Sequence, residues 1–269
     1  MNRAFYGDIH GCVDELKELH SLIEKAYPGI EHWHLGDLVD RGPDSGGAVQ
    51  FAMDNFTGGV MGNHESTILK SYHGRKKRRE RGEVVTEHPN PDKAKTLSQL
   101  NNERVEYLSK LPHLHVFDDV GLVIAHGGLM PKLSLYEQPP LQVCRAQMIN
   151  PNDPTAKQRW WGGDAKRQPK VGKTEKQNRE DGYVRWYEAY DGEYDCIYGH
   201  SVMGIEPYTH QNEGYGKTIG IDTGSCFGGF LTAYIYPEGK IIRVLCKEYV
   251  EGKNVKRFKG MIWENPDNK

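Results

Sequence analysis

Gly36-Asp37-Leu38-Val39-Asp40-Arg41-Gly42-Pro43-Asp44-Ser45 comes directly after a short apolar run around Trp33 and Leu35 that reads as the end of a buried strand. Two carboxylates and an arginine crowd a tight loop between glycines. That grouping has little sense as packing. It has good chemical sense if Asp37 bridges two cations while Arg41 faces an anion. A bridging carboxylate needs further ligands, and those must come from distant parts of the chain.

The flanking sequence repeats the same pattern. Residues 3–6 read as a strand ending at Gly7-Asp8-Ile9-His10-Gly11. A helix comes next, with Val13, Leu16, Leu19, Ile23 and Ala26 at three- and four-residue steps until Pro28-Gly29 stops it. A second strand near 32–35 leads into the opening stretch. Pro43 suits the first turn of the next helix, which runs to about Asn55. Gly58-Gly59-Val60-Met61 is a third strand, ending at Gly62-Asn63-His64-Glu65, and a helix carrying Ile68 and Leu69 is expected next. Strand, loop and helix in threefold alternation signal an α/β fold with a largely parallel sheet. In such sheets the loops at the carboxyl ends of the strands carry the ligand site.

Residues 72–110 read as an insertion. It opens with the basic run Arg75-Lys76-Lys77-Arg78-Arg79-Glu80-Arg81, expected as a solvated loop, and continues into a helix through Leu97, Leu100, Val105 and Leu108. Strands resume at His113–Phe117 and Leu122–Ala125, the second ending at His126-Gly127-Gly128. From Met130 to about Tyr194 the chain is polar and poorly periodic. Asp164–Asp181, rich in charge, reads as a mobile loop or cover. Tyr194–Tyr198 then ends at Gly199-His200, and Lys217–Ile221 ends at Asp222-Thr223-Gly224. Leu231, Ala233 and Ile235 alternate up to a turn at Pro237-Glu238-Gly239, and Ile242, Val244 and Cys246 alternate back. The expected organisation is a single domain over 1–269, with an insertion at about 72–112 and a variable cover segment at about 130–194.

Composition narrows the class. A formal net charge of −2 over 269 residues supplies no global field toward nucleic acid or membrane. No apolar run approaches membrane-spanning length, and a chemical motif begins at Gly7, so neither a span nor a signal peptide is expected. The five cysteines are scattered singly, without a Cys-x-x-Cys pair. A soluble protein in a reducing, cytoplasmic setting is the simplest expectation.

Each strand end is succeeded by polar or ionisable groups: Asp8 with His10, Asp37, Asn63 with His64, His126, His200 and Asp222. If the strands lie side by side, these groups converge. Aspartate, asparagine and histidine together suit Mn²⁺, Fe or Zn²⁺, and the lack of thiolates argues against a structural zinc site. There are ligands enough for two ions sharing one carboxylate. Such a pair clamps a phosphate and lowers the pKa of a held water from about 15.7 towards roughly 7. Attack at phosphorus then needs positive groups on the other oxygens and a proton for the leaving group.

Gly7-Asp8-Ile9-His10-Gly11, Gly36-Asp37-Leu38-Val39-Asp40-Arg41-Gly42, Gly62-Asn63-His64-Glu65, His126-Gly127-Gly128 and Gly199-His200 together resemble the phosphoprotein-phosphatase branch of the calcineurin-like metallophosphoesterases. The resemblance spans residues 7 to about 230. It implies an αββα sandwich of two β-sheets flanked by helices and two divalent ions, Mn²⁺ first, with Fe, Zn²⁺ or Ni²⁺ as substitutes. It implies that Asp8 and His10 hold one ion, that Asp37 bridges, and that Asn63, His126 and His200 hold the other. His64 would protonate the leaving oxygen, oriented by Asp40. Arg41 and Asn63 would bind phosphate oxygens. A second phosphate arginine is expected from the variable half: Arg185 first, Arg159 second.

The same resemblance implies hydrolysis by direct attack of a metal-activated hydroxide, since no serine or cysteine is placed as a nucleophile. A phosphomonoesterase like the Ser/Thr protein phosphatases is the leading expectation. Asp222, in Ile221-Asp222-Thr223-Gly224, resembles a motif of bacterial bis(5′-nucleosyl)-tetraphosphatases and of the phosphatase domain of bacterial polynucleotide kinase-phosphatases. A dinucleoside polyphosphate hydrolase or an RNA 2′,3′-phosphatase is therefore the alternative. Phosphoprotein, nucleotide or RNA end is the expected partner class. A non-catalytic module binding nucleic acid through Arg75–Arg81 is the rival from another class. Trp160, Trp161 and Trp186 are expected as packing rather than as a base-stacking platform.

Overall fold

The computed structural model describes residues 2–153, 156–159 and 175–250. Strand and helix alternate from the start: β1 (Arg3–Tyr6), α1 (Val13–Ala26), β2 (Glu31–His34), α2 (Ser45–Asn55), β3 (Gly58–Gly59) and α3 (Asn63–Glu80). Two further helices, α4 (Pro91–Gln99) and α5 (Asn102–Lys110), precede β4 (Leu114–Phe117) and β5 (Leu122–Ala125). Short pieces come next: α6 (Pro140–Val143), β6 (Met148–Ile149), α7 (Glu175–Glu180), β7 (Val184–Arg185) and a 3₁₀ turn at Trp186–Ala189. The chain then runs through β8 (Asp195–Tyr198), β9 (Tyr208–Gln211), β10 (Lys217–Gly220), β11 (Phe230–Tyr236) and β12 (Lys240–Leu245).

Two five-stranded sheets result, in the orders β12-β11-β1-β2-β3 and β4-β5-β8-β10-β9, with β6 and β7 as a separate pair. In the first, β1, β2 and β3 are parallel, while β11 runs against β1 and β12 against β11. In the second, β5, β8 and β10 are parallel and the edge strands β4 and β9 run against them. Parallel strands covered on both faces need apolar residues at successive positions, as in Leu122-Val123-Ile124-Ala125. Alternation then sorts the faces. Phe5, Leu35, Ile124, Ile197 and Ile219 form one core between the sheets. Ala4 and Tyr6 turn the other way, onto Leu16, Leu19 and Ile23 of α1 and Ala48 and Val49 of α2. On the far face of the second sheet, Val123, Ala125, Cys196 and Tyr198 pack against Val143, Trp186, Tyr187 and Tyr190. The result is the expected calcineurin-like sandwich, two sheets inside with helices outside.

Several local expectations are corrected. The basic run 75–81 is not a loop: through Glu80 it is the outer part of the single helix α3, whose last turn carries Lys77, Arg78 and Arg79. Arginine and lysine are good helix formers, and cations suit a helix C-terminus. Pro43 does not enter α2. Asp44 caps that helix, its Oδ1 accepting from Gly47 N at 2.7 Å. The insertion holds two helices rather than one, divided at Leu100 and restarted by Asn101, whose side chain accepts from Arg104 N at 2.9 Å. Residues 175–180 of the supposed loop 164–181 are helical, braced by Arg179 on Glu175 and Glu188; residues 164–174 lie outside the described residues. Trp160 and Trp161 also lie outside them, whereas Trp186 is buried as packing. Strand β9 has no sequence signal. None of the described helices is long and apolar enough to cross a membrane.

Candidate metal centre

Strand register brings the motif loops to one level. Tyr6 pairs with His34 and His34 with Gly59, so β1, β2 and β3 end together, ahead of Asp8, Asp37 and Asn63. In the second sheet Ala125 pairs with Tyr198 and Tyr198 with Gly220, ahead of His126, His200 and Asp222. Hydrogen bonds then stitch the two sets across the seam. Leu35 O faces His126 Nδ1 at 2.8 Å, and Asp8 Oδ1 accepts from His200 N at 2.9 Å.

Asp37 is the hub. Its Oδ2 lies 3.6 Å from His10 Nε2 and 3.9 Å from His64 Nε2, and its Oδ1 lies 3.3 Å from His126 Nε2. Asp8 Oδ2 is 3.9 Å from His10 Nε2, and Asn63 Oδ1 is 3.1 Å from His126 Nε2. Two triads, His10–Asp37–His64 and Asp37–His126–His200, each bring their ligand atoms within 4.8 Å of one another. All of the expected metal ligands are thus brought together.

Ligand orientation supports a cation at the hub. His10 Nδ1 and His126 Nδ1 each face a backbone carbonyl, Val39 O at 2.9 Å and Leu35 O at 2.8 Å, and a carbonyl can only accept. A ring held this way, when neutral, turns its Nε2 lone pair toward the carboxylate oxygens. Oxygen and nitrogen lone pairs converging in a buried site favour positive charge among them, which a proton on His126, the Arg41 guanidinium beside His10 or a bound cation supplies, and a second partner on the far ring nitrogen is the usual support of a ligating histidine. The side chain of Gln147 adds a buried Nε2 at 3.3 Å from His200 Nε2, while its Oε1 has no hydrogen-bond partner among the described residues.

The chain's own charges leave this cluster unevenly protonated. Burial pushes Asp8 well above the usual carboxylate range, and repulsion from Asp222 and Asp37 adds to it. Burial also raises Asp222. Asp37 is held well below that range because His126, His64 and His10 outweigh its burial. His126 is raised to about 10: burial alone would lower it, but Asp37 and Asp8 reverse the sign. Burial holds His10 and His200 well down, helped by Arg41 in one case and by His126 in the other. Buried carboxylates and imidazoles competing for protons are what a divalent cation would relieve.

Around this core sit the other candidates. Asp40 Oδ2 holds His64 Nδ1 at 2.8 Å, while its Oδ1 accepts from Thr96 Oγ1 at 2.6 Å. The His64 side chain is 18% exposed, against 2% for Asp37 and His10 and none for His126, so it borders the entrance. Arg41 Nη1 reaches His10 Nε2 at 3.1 Å, and its guanidinium lies over the Phe227 ring at 5.1 Å. Asp222 is buried near these groups and accepts from Gly224 N at 3.0 Å. Arg185 forks onto Glu175 at 2.8 and 2.9 Å, and touches Tyr187 Oη and Met203 Sδ. Arg159 instead pairs with Asp181 and lies over the Tyr183 ring.

Sequence reasoning assigns Glu65 no role. It is fully buried and accepts from Asp37 N at 2.8 Å, Gly62 N at 2.9 Å and Val39 N at 3.2 Å. Its place directly after Asn63-His64 is the one available signal. Gln147 has none.

Two sheets meeting over a nest of buried carboxylates and imidazoles define a metal-dependent hydrolase. Residues 1–212 match the calcineurin-like phosphoesterase family, and the chain belongs to it: it is a metallophosphoesterase, a phosphoric ester hydrolase using divalent metal. Among curated relatives, bis(5′-nucleosyl)-tetraphosphatase PrpE [asymmetrical] of Oceanobacillus iheyensis is 27% identical over 257 residues, 90% of this chain and 91% of the relative. Bis(5′-nucleosyl)-tetraphosphatase, symmetrical, of Pectobacterium carotovorum is 33% identical over 152 residues, 55% of this chain. The chain spans only 50% of that relative's length. A solved structure described as a candidate diadenosine tetraphosphatase superposes with a TM-score of 0.64 at 25% identity, covering 91% of this chain and 94% of that one.

Proposed function

We propose that the chain hydrolyses dinucleoside polyphosphates at a two-ion centre. The observation that carries this reading is the likeness to the asymmetrical tetraphosphatase, which extends over nine-tenths of both chains. Asp222 supports it, because the motif that resembles tetraphosphatases lies within the buried cluster beside Asp8 and Arg41. The phosphomonoesterase expectation, first on sequence, shares the same core.

In this reading Asp8, His10 and Asp37 would hold one ion, and Asp37, Asn63, His126 and His200 the other, with Mn²⁺ the first choice. When bound, the ions supply a clamp for the phosphoryl group and a water acidified to roughly pKa 7. The chain's own residues do the rest. His64 Nε2 donates a proton to the leaving oxygen, and Asp40 keeps His64 in the tautomer and orientation for it. Arg41, which rests against His10 Nε2, would bind a phosphate oxygen. Arg185, next to Met203 in the segment after His200, is the second phosphate arginine and exchanges Glu175 for substrate. A cytoplasmic setting fits the five cysteines, all buried and free.

The test is a substrate panel with Mn²⁺ added: diadenosine tetraphosphate, p-nitrophenyl phosphate, a phosphopeptide and an RNA 2′,3′-cyclic phosphate. The highest kcat/KM is expected on diadenosine tetraphosphate, with ATP plus AMP as products rather than two ADP. A phosphopeptide or RNA end turned over faster than the dinucleotide overturns the substrate and leaves the phosphoesterase chemistry standing.

A further inference from the structure

A second cluster of metal-ligating side chains lies outside the strand-end loops. His20 and Glu24 stand one turn apart on α1 and so leave the same helix face. His32 of β2 comes up beneath them. One ligand atom from each of the three lies within 4.8 Å of the other two. Glu24 Oε1 is 2.6 Å from His32 Nε2, and the two imidazole rings lie 4.3 Å apart, tilted by 31°.

An ion pair with a neighbouring ring would explain part of this. The support behind each donor goes further. His32 Nδ1 is held by Tyr6 Oη at 2.8 Å, which leaves Nε2 to face the cluster. Glu24 Oε2 accepts from Gly29 N at 3.4 Å, which leaves Oε1 to do the same. Phe51 stands edge-on to His20 at 5.2 Å and Phe56 stacks on His32 at 6.1 Å, so one side is walled by apolar rings. The other side opens to solvent through Glu24, whose side chain is 37% exposed. Two imidazoles and one carboxylate with an open fourth position are a donor set typical of Zn²⁺, and outer hydrogen bonds of this kind orient such ligands.

We propose that His20, Glu24 and His32 form a Zn²⁺ site, distinct from the two-ion centre, that pins the last turns of α1 to β2. Zinc bonds of about 2.0–2.2 Å set the ligand atoms a little over 3 Å apart, which a small opening of the Glu24–His32 contact and an inward turn of His20 provide.

The test counts metal. Wild type, His20→Ala and Glu24→Gln, each loaded with Mn²⁺, are dialysed against a zinc buffer and analysed for zinc by mass spectrometry. Wild type is expected to hold one zinc per chain more than either variant. Its melting temperature should rise with zinc while theirs do not, and Mn²⁺-dependent turnover without zinc should be equal in all three. Equal zinc content in wild type and the variants overturns the proposal, whatever the melting curves do. Glu24→Gln is nearly isosteric and decides the matter should His20→Ala fail to fold.

Discussion

Replacing Glu65 by alanine tests how the centre is built. The Glu65 carboxylate is the acceptor for three buried backbone donors, on Asp37, Val39 and Gly62. Alanine leaves all three without a partner. An orphaned buried donor costs about 1–3 kcal/mol, so the gross loss is roughly 3–9 kcal/mol. Two effects offset part of it. The Glu65 acid is pushed up to about 7 by burial and by the nearby Asp37 charge, so its removal relieves a poorly solvated group. A water can also enter the space left behind and meet some of the donors. A net loss of about 2–5 kcal/mol is expected, a large share of the ~5–15 kcal/mol that holds a typical domain together. Glu65→Gln should lose less, about 1–3 kcal/mol: its oxygen can keep Asp37 N and Gly62 N, while its NH2 faces Val39 N donor to donor and that one bond is lost. Asp37 sits at φ 51°, and these bonds help to hold it there, so affinity for both ions should fall in the same order. Urea denaturation of metal-loaded and chelator-treated protein reads the stability, and elemental analysis after dialysis reads the ions. An alanine variant within about 0.5 kcal/mol of wild type that also keeps both ions would refute the clamp.

Three further outcomes are expected. His64→Ala should lower turnover by roughly 10²–10⁴-fold on a substrate with an alkyl leaving group and leave ion content unchanged; an unchanged rate on that substrate removes the general-acid role. Asp37→Asn should reduce occupancy of both ion positions, and a variant that retains both after dialysis shows that Asp37 does not bridge. His34 gives a pH dependence. Burial, then the His126 charge, lowers its pKa to about 3, against about 6.5 in an unfolded chain. Below pH 6.5 the unfolded chain takes up a proton that the folded one refuses, so this contribution is complete above pH 6.5 and is lost as pH falls toward 3, by about 1.4 kcal/mol per unit. The stability difference between wild type and His34→Gln should shift accordingly over that range, and a constant difference excludes the effect.

The site is readable because its ligands obey a local rule. Asp8, Asp37, Asn63, His126 and His200 each come after an apolar strand, beside a glycine, and parallel strands in register bring such positions to one level. The residues that escape sequence reasoning lack that rule. Glu65 acts on backbone donors up to 28 residues away, and nothing in its own spacing shows them. His20 and Glu24 display helical spacing, but His32 reaches them only through the packing of α1 on the first sheet. The outer part of α3 has no apolar stripe to betray a helix, since only Ile68 and Leu69 near its start are buried hydrophobics. Arg185 is placed by resemblance of a short stretch, and its pairing with Glu175 depends on α7, a helix with no periodic signal.

The motif's composition has a conformational reason as well as a chemical one. Among the described residues six non-glycines have positive φ, and five of them are His10, Asp37, Asp40, Arg41 and His200. Each such residue costs of order 1–3 kcal/mol, so together they strain the fold by an amount comparable with a domain's whole stability. Glycine at these positions would relax the strain and delete the chemistry. Glycine therefore sits beside them, where backbone meets backbone: a Cβ on Gly42 would run into the His10 carbonyl, and one on Gly62 into Asp37. The loops after β1 and β2 brace one another, with Ile9 N and His10 N both donating to Asp37 O at 3.1 and 2.7 Å, and Gly42 N donating to His10 O at 2.9 Å. Those bonds, each worth about 0.5–1.5 kcal/mol net, offset only part of that strain. The remainder must come from outside the two loops: from Glu65 beneath Asp37, from Ser45 Oγ on Asp40 N at 3.0 Å, and from cations that bind only the folded arrangement. Ion binding and folding are then one equilibrium, and a chelator should lower the melting temperature of wild type more than that of Asp37→Gly, which has already given up both the strain and the bridge.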